Sequence, residues 1–366
     1  MEQLDLTQLK TLPDEVWNIG LFDAHCHPTD NLHRIESGLS SMKTSMLTIM
    51  ATRFDDQERV HEVASTFSDR IVPSFGFHPW FSYLFYTSSS PPTSKNEHYR
   101  SVLFPEPDNE FLDLLPPPRS LDEYMLELSK YLQIHPTALV GEIGIDRSFR
   151  IPKSGKIISY NESEINNNCC NVDARRLSPY RVNHRHQSEV LLAQLKVAVA
   201  HERPVSVHGV QAHGILFEEF SKLWADYPII SRKQQKRQKQ QSAGDLSGRP
   251  PLSPFPTRIC LHSYSGSPDQ ISLWLNPRKV PALVYFSFSF LINQRYGDKF
   301  TQVIQKVPDD RLLIETDFPL AGETMDGLQA EILILVCEIK NWTLMQGARI
   351  LAENWKSFVY GSSGRH

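Results

Sequence analysis

The stretch QSEVLLAQLKVAVAHERPVSVH, residues 187–208, contains two patterns in succession. Its first part, up to Glu202, places apolar residues at helical spacing. Its second part, RPVSVH, is a short apolar run that ends in a histidine. Such runs are typical of strands covered on both faces, and a helix that leads directly into one predicts a βα repeat with a parallel sheet. The fold therefore depends on how often this unit recurs along the chain.

Short runs rich in Ile, Val, Leu and Phe recur throughout the sequence. The eight candidate strands are GLFDAHCH from Gly20, SMLTIMA from Ser45, RIVPSFGFHP from Arg70, ALVGEIGID from Ala138, RPVSVH from Arg203, TRICLH from Thr257, PALVYFSFS from Pro281 and RLLIETD from Arg311. A second clear helical pattern, MDGLQAEILILVCEIKNW, begins at Met325. Eight strands that alternate with helices predict an α/β fold, the (β/α)8 TIM barrel.

Three segments interrupt this alternation, namely residues 83–119, 150–181 and 231–257. They are rich in Pro and Ser, in Asn, or in Gln and Lys, compositions that bury too little apolar surface to offset the entropy lost on ordering. We therefore expect polar, flexible surface insertions. The remaining chain is close to the roughly 250 residues of one barrel. We expect a single domain over residues 1–366, with a core from about 18 to 360.

Composition limits the classes of function. The chain has 366 residues, 40% of them hydrophobic, and a formal net charge of -4, so it has no overall attraction to polyanions and any contact with nucleic acid must be local. The five cysteines form no CxxC pair, which argues against a disulfide framework or a zinc ribbon. No apolar run approaches the roughly 20 residues that cross a bilayer, and the start lacks a secretory signal. We expect a protein of the cytoplasm or nucleus without membrane contact.

Side chains of metal-ligand types stand at or near the ends of five predicted strands. They are His25, His27, Glu142, His208, His262 and Asp317. The carboxyl ends of barrel strands converge on one mouth, and positions i and i+2 of a strand face the same side, so His25 and His27 can point at one ion. Taken singly, such a histidine is more often an ordinary hydrogen-bonded residue, and ETD is equally a turn or a helix cap. The joint pattern favours a metal site.

The number of these candidates indicates how many ions are bound. Six ligands exceed what one tetrahedral catalytic ion with an open position needs, so we expect two divalent ions that share a carboxylate, with Glu142 as the bridge. Imidazole and carboxylate ligands suit zinc, manganese, iron or nickel, and carboxylates with water also admit magnesium. The ligand types do not identify the metal.

The same motifs carry a family resemblance. DAHCHPTD, GFHPW, GEIGIDR, PVSVH, LHSYSGS and LLIETDFP, in this order from Phe22 to Pro319, resemble the TatD-like metal-dependent hydrolases, the TatD deoxyribonuclease family of the amidohydrolase superfamily. NWKSFV near the C-terminus resembles the end of that family's last helix. The resemblance implies a TIM barrel that hydrolyses phosphodiester bonds, typically of DNA and often from the 3′ end. Single-stranded DNA or 3′ ends are thus the expected substrate.

The resemblance also implies a ligand set for each ion. It assigns His25, His27, Glu142 and Asp317 to one ion, and Glu142, His208 and His262 to the other.

Ordinary metal chemistry then suggests roles for the remaining residues. A metal-activated water attacks phosphorus, and we expect Asp317 to orient that water and take its proton, beside the bridging Glu142. His78 contacts a substrate phosphate or supports the ligands, although GFHP is equally well explained as a turn. Asp23 and Asp146 accept hydrogen bonds from ligand imidazoles or else cap loops.

Two departures from the family pattern leave other functions open. The family usually has an arginine two residues after the histidine that corresponds to His208, whereas this chain has Gly209 and Val210. His213 or the basic segment Arg232–Lys239 could supply that cation, but such a segment is more simply a solvated loop. The sequence FPLAGETMDG likewise lacks a proline-rich, arginine-containing stretch. Two alternatives follow: an interaction protein that uses its insertions, and an amide or ester hydrolase. A monomer is expected, because the barrel completes its site alone.

Overall fold

The computed structural model describes residues 6–31, 35–87, 91–155, 176–225, 227 and 253–361. Eight parallel strands form one sheet: β1 Phe22–Cys26, β2 Met46–Met50, β3 Ile71–Phe75, β4 Leu139–Asp146, β5 Val205–Val210, β6 Arg258–Leu261, β7 Leu283–Ser289 and β8 Leu312–Glu315. Their order in the sheet follows their order in the chain. All eight predicted strands are present, and the predicted TIM barrel is confirmed.

Helices alternate with these strands. The α-helices of the described residues are α1 Asp14–Trp17, α2 Ile35–Ser41, α3 Phe54–Thr66, α4 Lys95–Val102, α5 Asn109–Leu114, α6 Leu121–Ile134, α7 His184–Ala200, α8 His213–Trp224, α9 Pro268–Trp274, α10 Phe290–Asn293, α11 Asp298–Lys306, α12 Glu323–Lys340 and α13 Leu344–Tyr360. The 3-10 helices are Leu6–Gln8, Pro28–Asp30, Pro79–Leu84, Gln294–Tyr296 and Asp309–Arg311. Within the described ranges, none of the helices is both long and apolar enough to cross a membrane.

The strands are apolar throughout because both of their faces are covered. β4 is buried at every position, with one face toward the outer helices and the other toward the barrel interior. Helix α13 packs at the amino end of the barrel, where the Trp355 ring stacks on Phe22 with centroids 4.8 Å apart and its Nε1 donates to Thr48 Oγ1 at 3.0 Å. That end is filled by packing, which leaves the carboxyl end of the strands for chemistry.

The ends of β8 and β1 meet at this carboxyl end. The backbone N–H of Asp317 donates to the carbonyl of His25 at 2.9 Å, and the N–H of His27 donates to the carbonyl of Phe318 at 3.0 Å. These bonds hold the first and last strands beside each other where the candidate ligands lie.

The first predicted insertion differs from its expectation. Residues 83–119 contain helices α4 and α5 and the short strands Phe85–Tyr86, Leu103–Phe104 and Arg119–Ser120. The cluster of buried side chains is Tyr83, Tyr99, Val102, Leu103, Phe111, Leu112, Leu115, Ile151, Tyr180 and Val182. The prediction of an unpacked surface segment was wrong here, because aromatic and aliphatic residues are interleaved with the Pro- and Ser-rich stretches that dominate the average composition.

The second insertion contributes to the same cluster through its ends. The short strand Arg181–Val182 pairs antiparallel with Leu103–Phe104, and Ile151 is fully buried. We call residues 83–119 with 176–182 the aromatic insertion. The middle of the second predicted insertion, residues 156–175, lies outside the described residues, as do residues 231–252 of the third. The described end of the third is packed, with Phe255 buried against Trp224.

Candidate metal centre

The structure brings the six predicted ligands together at the barrel mouth. Around Glu142 Oε2 lie His25 Nε2 at 3.3 Å and His27 Nε2 at 3.4 Å. Asp317 Oδ1 lies 3.3 Å from His27 Nε2 and 3.8 Å from His25 Nε2. The two imidazole nitrogens are 3.1 Å apart. These four side chains form one compact set of donor atoms, drawn from β1, β4 and the end of β8.

A second set surrounds the other oxygen of the same carboxylate. Glu142 Oε1 lies 2.8 Å from His208 Nδ1 and 2.8 Å from His262 Nε2, and those two nitrogens are 3.2 Å apart. His78 Nε2 is 3.1 Å from the same oxygen. Glu142 therefore lies between the two groups, and each of its oxygens faces one of them.

The geometry of both sets fits divalent metal ions. Ligand atoms in a tetrahedral site with bonds of about 2.1 Å are separated by about 3.4 Å, and the separations measured here run from 2.8 to 3.8 Å. Groups drawn from these side chains, His25 with His27 and Glu142 and also His78 with Glu142 and His208, could each hold an ion. A buried carboxylate within 3.4 Å of five imidazoles is otherwise an unusual arrangement, because buried ionic groups are normally paired once.

The protonation states favour metal binding. Burial opposes ionisation of Glu142, but the surrounding imidazoles hold the pKa of its carboxyl well below the usual range. Burial likewise opposes ionisation of Asp317, yet its hydrogen bond with His27 lowers the pKa of that carboxyl. On His27, burial is outweighed by Asp317 and Glu142, which raise its pKa to about 9. Both carboxylates are therefore ionised, and an ion bound by His27 would displace a proton from its imidazole.

Local backbone geometry places several of these side chains. Asp317 lies two residues after the end of β8, and Ser263 directly follows His262. They have φ of 54° and 39°, the left-handed region that is uncommon outside glycine. Gly144 has φ of 155°, and a Cβ on it would lie 2.0 Å from the carbonyl oxygen of His208. The close approach of β4 and β5 beside the centre thus requires glycine at this position.

Comparison with known proteins identifies the family of the chain. A family model described as "TatD related DNase" matches residues 22–359.

The chain belongs to the TatD-related DNase family.

It is therefore a member of a family of metal-dependent hydrolases, as the sequence motifs predict. The chain is 36% identical over 348 residues to the Cut9-interacting protein scn1 of Schizosaccharomyces pombe, covering 93% of this chain and 98% of that protein. It is 28% identical over 310 residues to the Uncharacterized deoxyribonuclease YMR262W of Saccharomyces cerevisiae, covering 82% and 84%.

Solved structures of TatD homologues share the fold. YJJV, a TatD homologue from Escherichia coli, matches with a TM-score of 0.53 at 17% identity, covering 93% of this chain and 97% of its own. An uncharacterized amidohydrolase from Saccharomyces cerevisiae matches with a TM-score of 0.54 at 14% identity, covering 92% and 98%. At these identities the likeness concerns the barrel alone.

Hydrogen-bonding partners orient the imidazoles of the candidate centre. Asp146 Oδ2 lies 3.2 Å from His208 Nε2 and accepts from Trp80 Nε1 at 2.7 Å, so the ring of His208 is held with Nδ1 toward Glu142. His25 Nδ1 lies 3.1 Å from Ser206 Oγ, which leaves Nε2 of that ring facing the donor set. Such partners fix the tautomer and the direction of metal-binding histidines.

Asp23 hydrogen-bonds backbone groups at the ends of β1 and β8, which is closer to the expected loop cap than to the expected contact with a ligand imidazole. Its carboxylate accepts the backbone N–H of His25 at 3.0 Å, the backbone N–H of Thr316 at 3.1 Å and the hydroxyl of Thr316 at 2.6 Å. It therefore makes no hydrogen bond to a ligand imidazole. Asp23 instead ties the end of β8 to β1, because these two strands lie side by side at the mouth.

His78 lies beside the second set of donor atoms. Its Nδ1 accepts the backbone N–H of Trp80 at 3.1 Å, and burial lowers its pKa to about 4. The neutral ring therefore carries its proton on Nε2, the atom nearest Glu142 Oε1. A ring in this tautomer is a hydrogen-bond donor to the site.

Sequence reasoning missed a buried carboxylate behind the centre. Glu315 is fully buried, accepts the N–H and the hydroxyl of Ser263 at 2.7 and 2.6 Å, accepts the hydroxyl of Ser287, and lies 3.7 Å from His262 Nδ1. The signal that could have found it was its spacing, since Glu315 and Asp317 are two residues apart in LLIETDFP and an acid in an apolar strand requires partners.

The centre opens into a pocket of about 440 Å³. Gly209 and Val210, the residues found in place of the family's arginine, line it. His213 does not supply the missing charge: it hydrogen-bonds Ser265 Oγ at 3.1 Å, and burial, followed by nearby Lys299, lowers its pKa to about 4. The segment 232–239 lies outside the described residues.

Proposed function

We propose that the protein is a divalent-metal-dependent phosphodiesterase, a deoxyribonuclease that removes nucleotides from the 3′ end of single-stranded DNA. The observation that carries the proposal is the position of Glu142 between two sets of donor atoms, each of which has the spacing expected of ligands to one divalent ion. We propose two ions per chain, of magnesium, manganese or zinc, with Glu142 as the bridging ligand. The family supports hydrolysis, and the relative described as a deoxyribonuclease supports DNA as substrate.

The ligand assignment follows the two sets. His25, His27, Glu142 and Asp317 would hold one ion. Glu142, His208 and His262 would hold the other. Ions bound there supply Lewis acidity, which activates a water molecule and withdraws charge from a phosphate oxygen.

Side chains of the protein would then accept the proton of the attacking water and orient the reacting groups. Asp317 is ionised, faces His27 through Oδ1, and has Oδ2 3.4 Å from the Ser263 hydroxyl, so it can orient the attacking water and accept its proton. His78, whose Nε2 lies 3.1 Å from Glu142 Oε1, would support that ligand or donate to a substrate oxygen beside it. Asp146, through its contact with His208, holds that imidazole in place while charge develops on the phosphate.

The size of the pocket supports a strand end as substrate. A volume of about 440 Å³ lies toward the small end of ligand pockets, and it admits the terminal nucleotides of a single strand more readily than a duplex. The pocket is also lined by four carboxylates and two arginines, so the metal-free protein repels a phosphodiester and bound ions reverse that balance.

Hydrolysis of end-labelled single-stranded DNA tests the proposal. Protein reconstituted with magnesium, manganese or zinc should shorten a 5′-labelled oligonucleotide stepwise, and a 3′-labelled one should release its label at once. Asp317→Asn and a chelator should each abolish cleavage, whereas Asp113→Asn, an exposed carboxylate of the aromatic insertion, should not. Absence of DNA cleavage with every metal, together with turnover of amide or carboxylic ester substrates, would show that the protein is an amide or ester hydrolase.

We propose protein binding as a second function of the same chain. It is supported by the relative described as Cut9-interacting, which matches over 93% of this chain. The expected setting is the cytoplasm or nucleus, with the barrel acting as a monomer. Proteins captured from cells by the wild type should also be captured by Glu142→Gln, but lost when residues 231–252 are deleted. Capture that requires the metal centre would contradict a separate binding function.

A further inference from the structure

The two arginines that line the pocket have different surroundings. Arg53 is paired with acids: its guanidinium lies 2.7 Å from Asp30, 2.9 Å from Asp55 and 3.3 Å from Asp56. Arg295 is exposed, and among the described residues no carboxylate lies within 4 Å of its guanidinium. The charge of Arg53 is therefore used within the fold, while the charge of Arg295 is available at the pocket.

A second cation, Lys299, lies at the same aromatic ring as Arg295. The guanidinium of Arg295 is 5.1 Å from the centroid of the Tyr296 ring, and the ammonium of Lys299 is 5.3 Å from the same centroid. Lys299 Nζ also donates to the carbonyl of Ser265, another residue that lines the pocket, at 2.8 Å. We call Arg295, Tyr296 and Lys299 the cationic lip. It combines two positive charges and an aromatic ring at the edge of the metal centre.

The lip has a fixed relation to the metal centre. Asn293, which is fully buried just before it, donates to the carbonyls of Ser263 and Tyr264 at 3.2 Å each and accepts the N–H of Ser289 at 2.8 Å. Ser263 and Tyr264 directly follow His262. The backbone that presents the lip is thus bonded to the backbone that presents a candidate ligand, so the lip and the centre keep their spacing.

We propose that the cationic lip binds a non-scissile phosphate of the polynucleotide while the scissile phosphate lies at the metal centre. This proposal rests on the phosphodiesterase function proposed above. A guanidinium and an ammonium that share one aromatic ring favour a phosphate, because hydrogen bonds between charged partners are stronger than neutral ones. The lip therefore distinguishes a polynucleotide, which carries further phosphates, from a small phosphodiester, which carries one.

Comparison of two substrates tests the lip. For a single-stranded oligonucleotide, Arg295→Gln and Lys299→Gln should each raise KM by about tenfold, the effect expected when one charge-assisted hydrogen bond is removed. The ratio of kcat/KM for the oligonucleotide to that for bis(4-nitrophenyl) phosphate should fall by the same factor. Arg278→Gln, an exposed arginine that does not line the pocket, is the matched control and should leave the ratio unchanged.

Equilibrium binding gives a readout that does not depend on turnover. In an Asp317→Asn background with manganese, fluorescence anisotropy of a labelled oligonucleotide should show weaker binding for each lip substitution. The slope of log K against log salt should become less steep by about 0.7 for each phosphate that the lip no longer neutralises. Unchanged affinity and unchanged slope in both lip variants would overturn the proposal. Failure of the wild type to hydrolyse either substrate would instead count against the proposed function, because the binding assay still reports on the lip.

Discussion

The candidate metal centre and the aromatic insertion are both buried, but the first consists of ionisable side chains and the second of apolar ones. The centre gathers ionisable side chains from strands up to 292 positions apart in the chain, and each of them has a defined hydrogen-bonding or ionic partner. The aromatic insertion gathers Tyr83, Tyr99 and Phe111 from short helices and Tyr180 from the residue before a short strand. The first region is held by charge and geometry and the second by apolar area. Substitutions should therefore separate loss of chemistry from loss of folding.

The largest effect is expected at Glu142, the ligand proposed to be shared by both ions. Glu142→Gln removes the charge that lies between the two donor sets, so turnover should fall by about a thousandfold or more. Metal analysis should find fewer than two ions per chain. Glu110→Gln, an exposed acid of the aromatic insertion, provides the comparison and should keep both activity and metal. Full metal occupancy in Glu142→Gln would show that the carboxylate is not the bridge.

The insertion should respond to loss of apolar area instead. Phe111 is 5% exposed, and its ring centroid lies 4.5 Å from that of Tyr180. Phe111→Ala should reduce the free energy of unfolding by about 3 to 5 kcal/mol, measured by urea denaturation. Leu114→Ala, on the same helix but 49% exposed, should cost less than about 1 kcal/mol. If metal affinity of the folded Phe111→Ala protein also fell, the two regions would not be energetically separate.

A smaller effect is expected from a residue that acts through a ligand. Asp146→Asn weakens the hold on His208, so metal affinity should fall about 10- to 100-fold. Calorimetric titration should show the weakening at one of two ions, because His25 and His27 have other partners. Asp113→Asn is again the control. Equal weakening of both ions would contradict the assignment of His208 to one of them.

The smallest effect concerns pH. Burial, followed by Lys299, lowers the pKa of His213 to about 4, whereas a histidine of the unfolded chain titrates near 6.5. Between these values the unfolded state binds more protons, so the free energy of unfolding falls as pH falls. In chelator, His213→Gln should lose about 1 to 2 kcal/mol less stability than the wild type between pH 7 and 5. Exposed His184→Gln should follow the wild type. Parallel curves for His213→Gln and the wild type would refute the neutral state of His213.

The barrel was predictable because its signals are periodic and local. Apolar runs of strand length alternate with helical patterns, and ligand-type residues at strand ends need only the barrel rule to be placed at one mouth. His25 and His27 share a face by strand geometry alone, and in the structure their Nε2 atoms are 3.1 Å apart.

The packing of segment 83–119 and the pairing of the pocket arginines could not be predicted, because they depend on contacts that average composition does not reveal. Tyr99 and Phe111 lie among Ser, Pro and Lys, so the composition of segment 83–119 predicts no packing, although both of these rings are buried. Arg295 lies in a short segment without helical or strand periodicity. Only the structure shows that Arg53 is paired with acids while Arg295 is not. The burial of these aromatic rings and the availability of the Arg295 charge both depend on contacts between side chains that are distant in sequence.

Anomalous diffraction from manganese-soaked crystals tests the central claim most directly. Two peaks should flank Glu142, one among His25, His27 and Asp317 and the other beside His208 and His262. A single peak, or peaks away from Glu142, would contradict a two-ion centre bridged by this carboxylate.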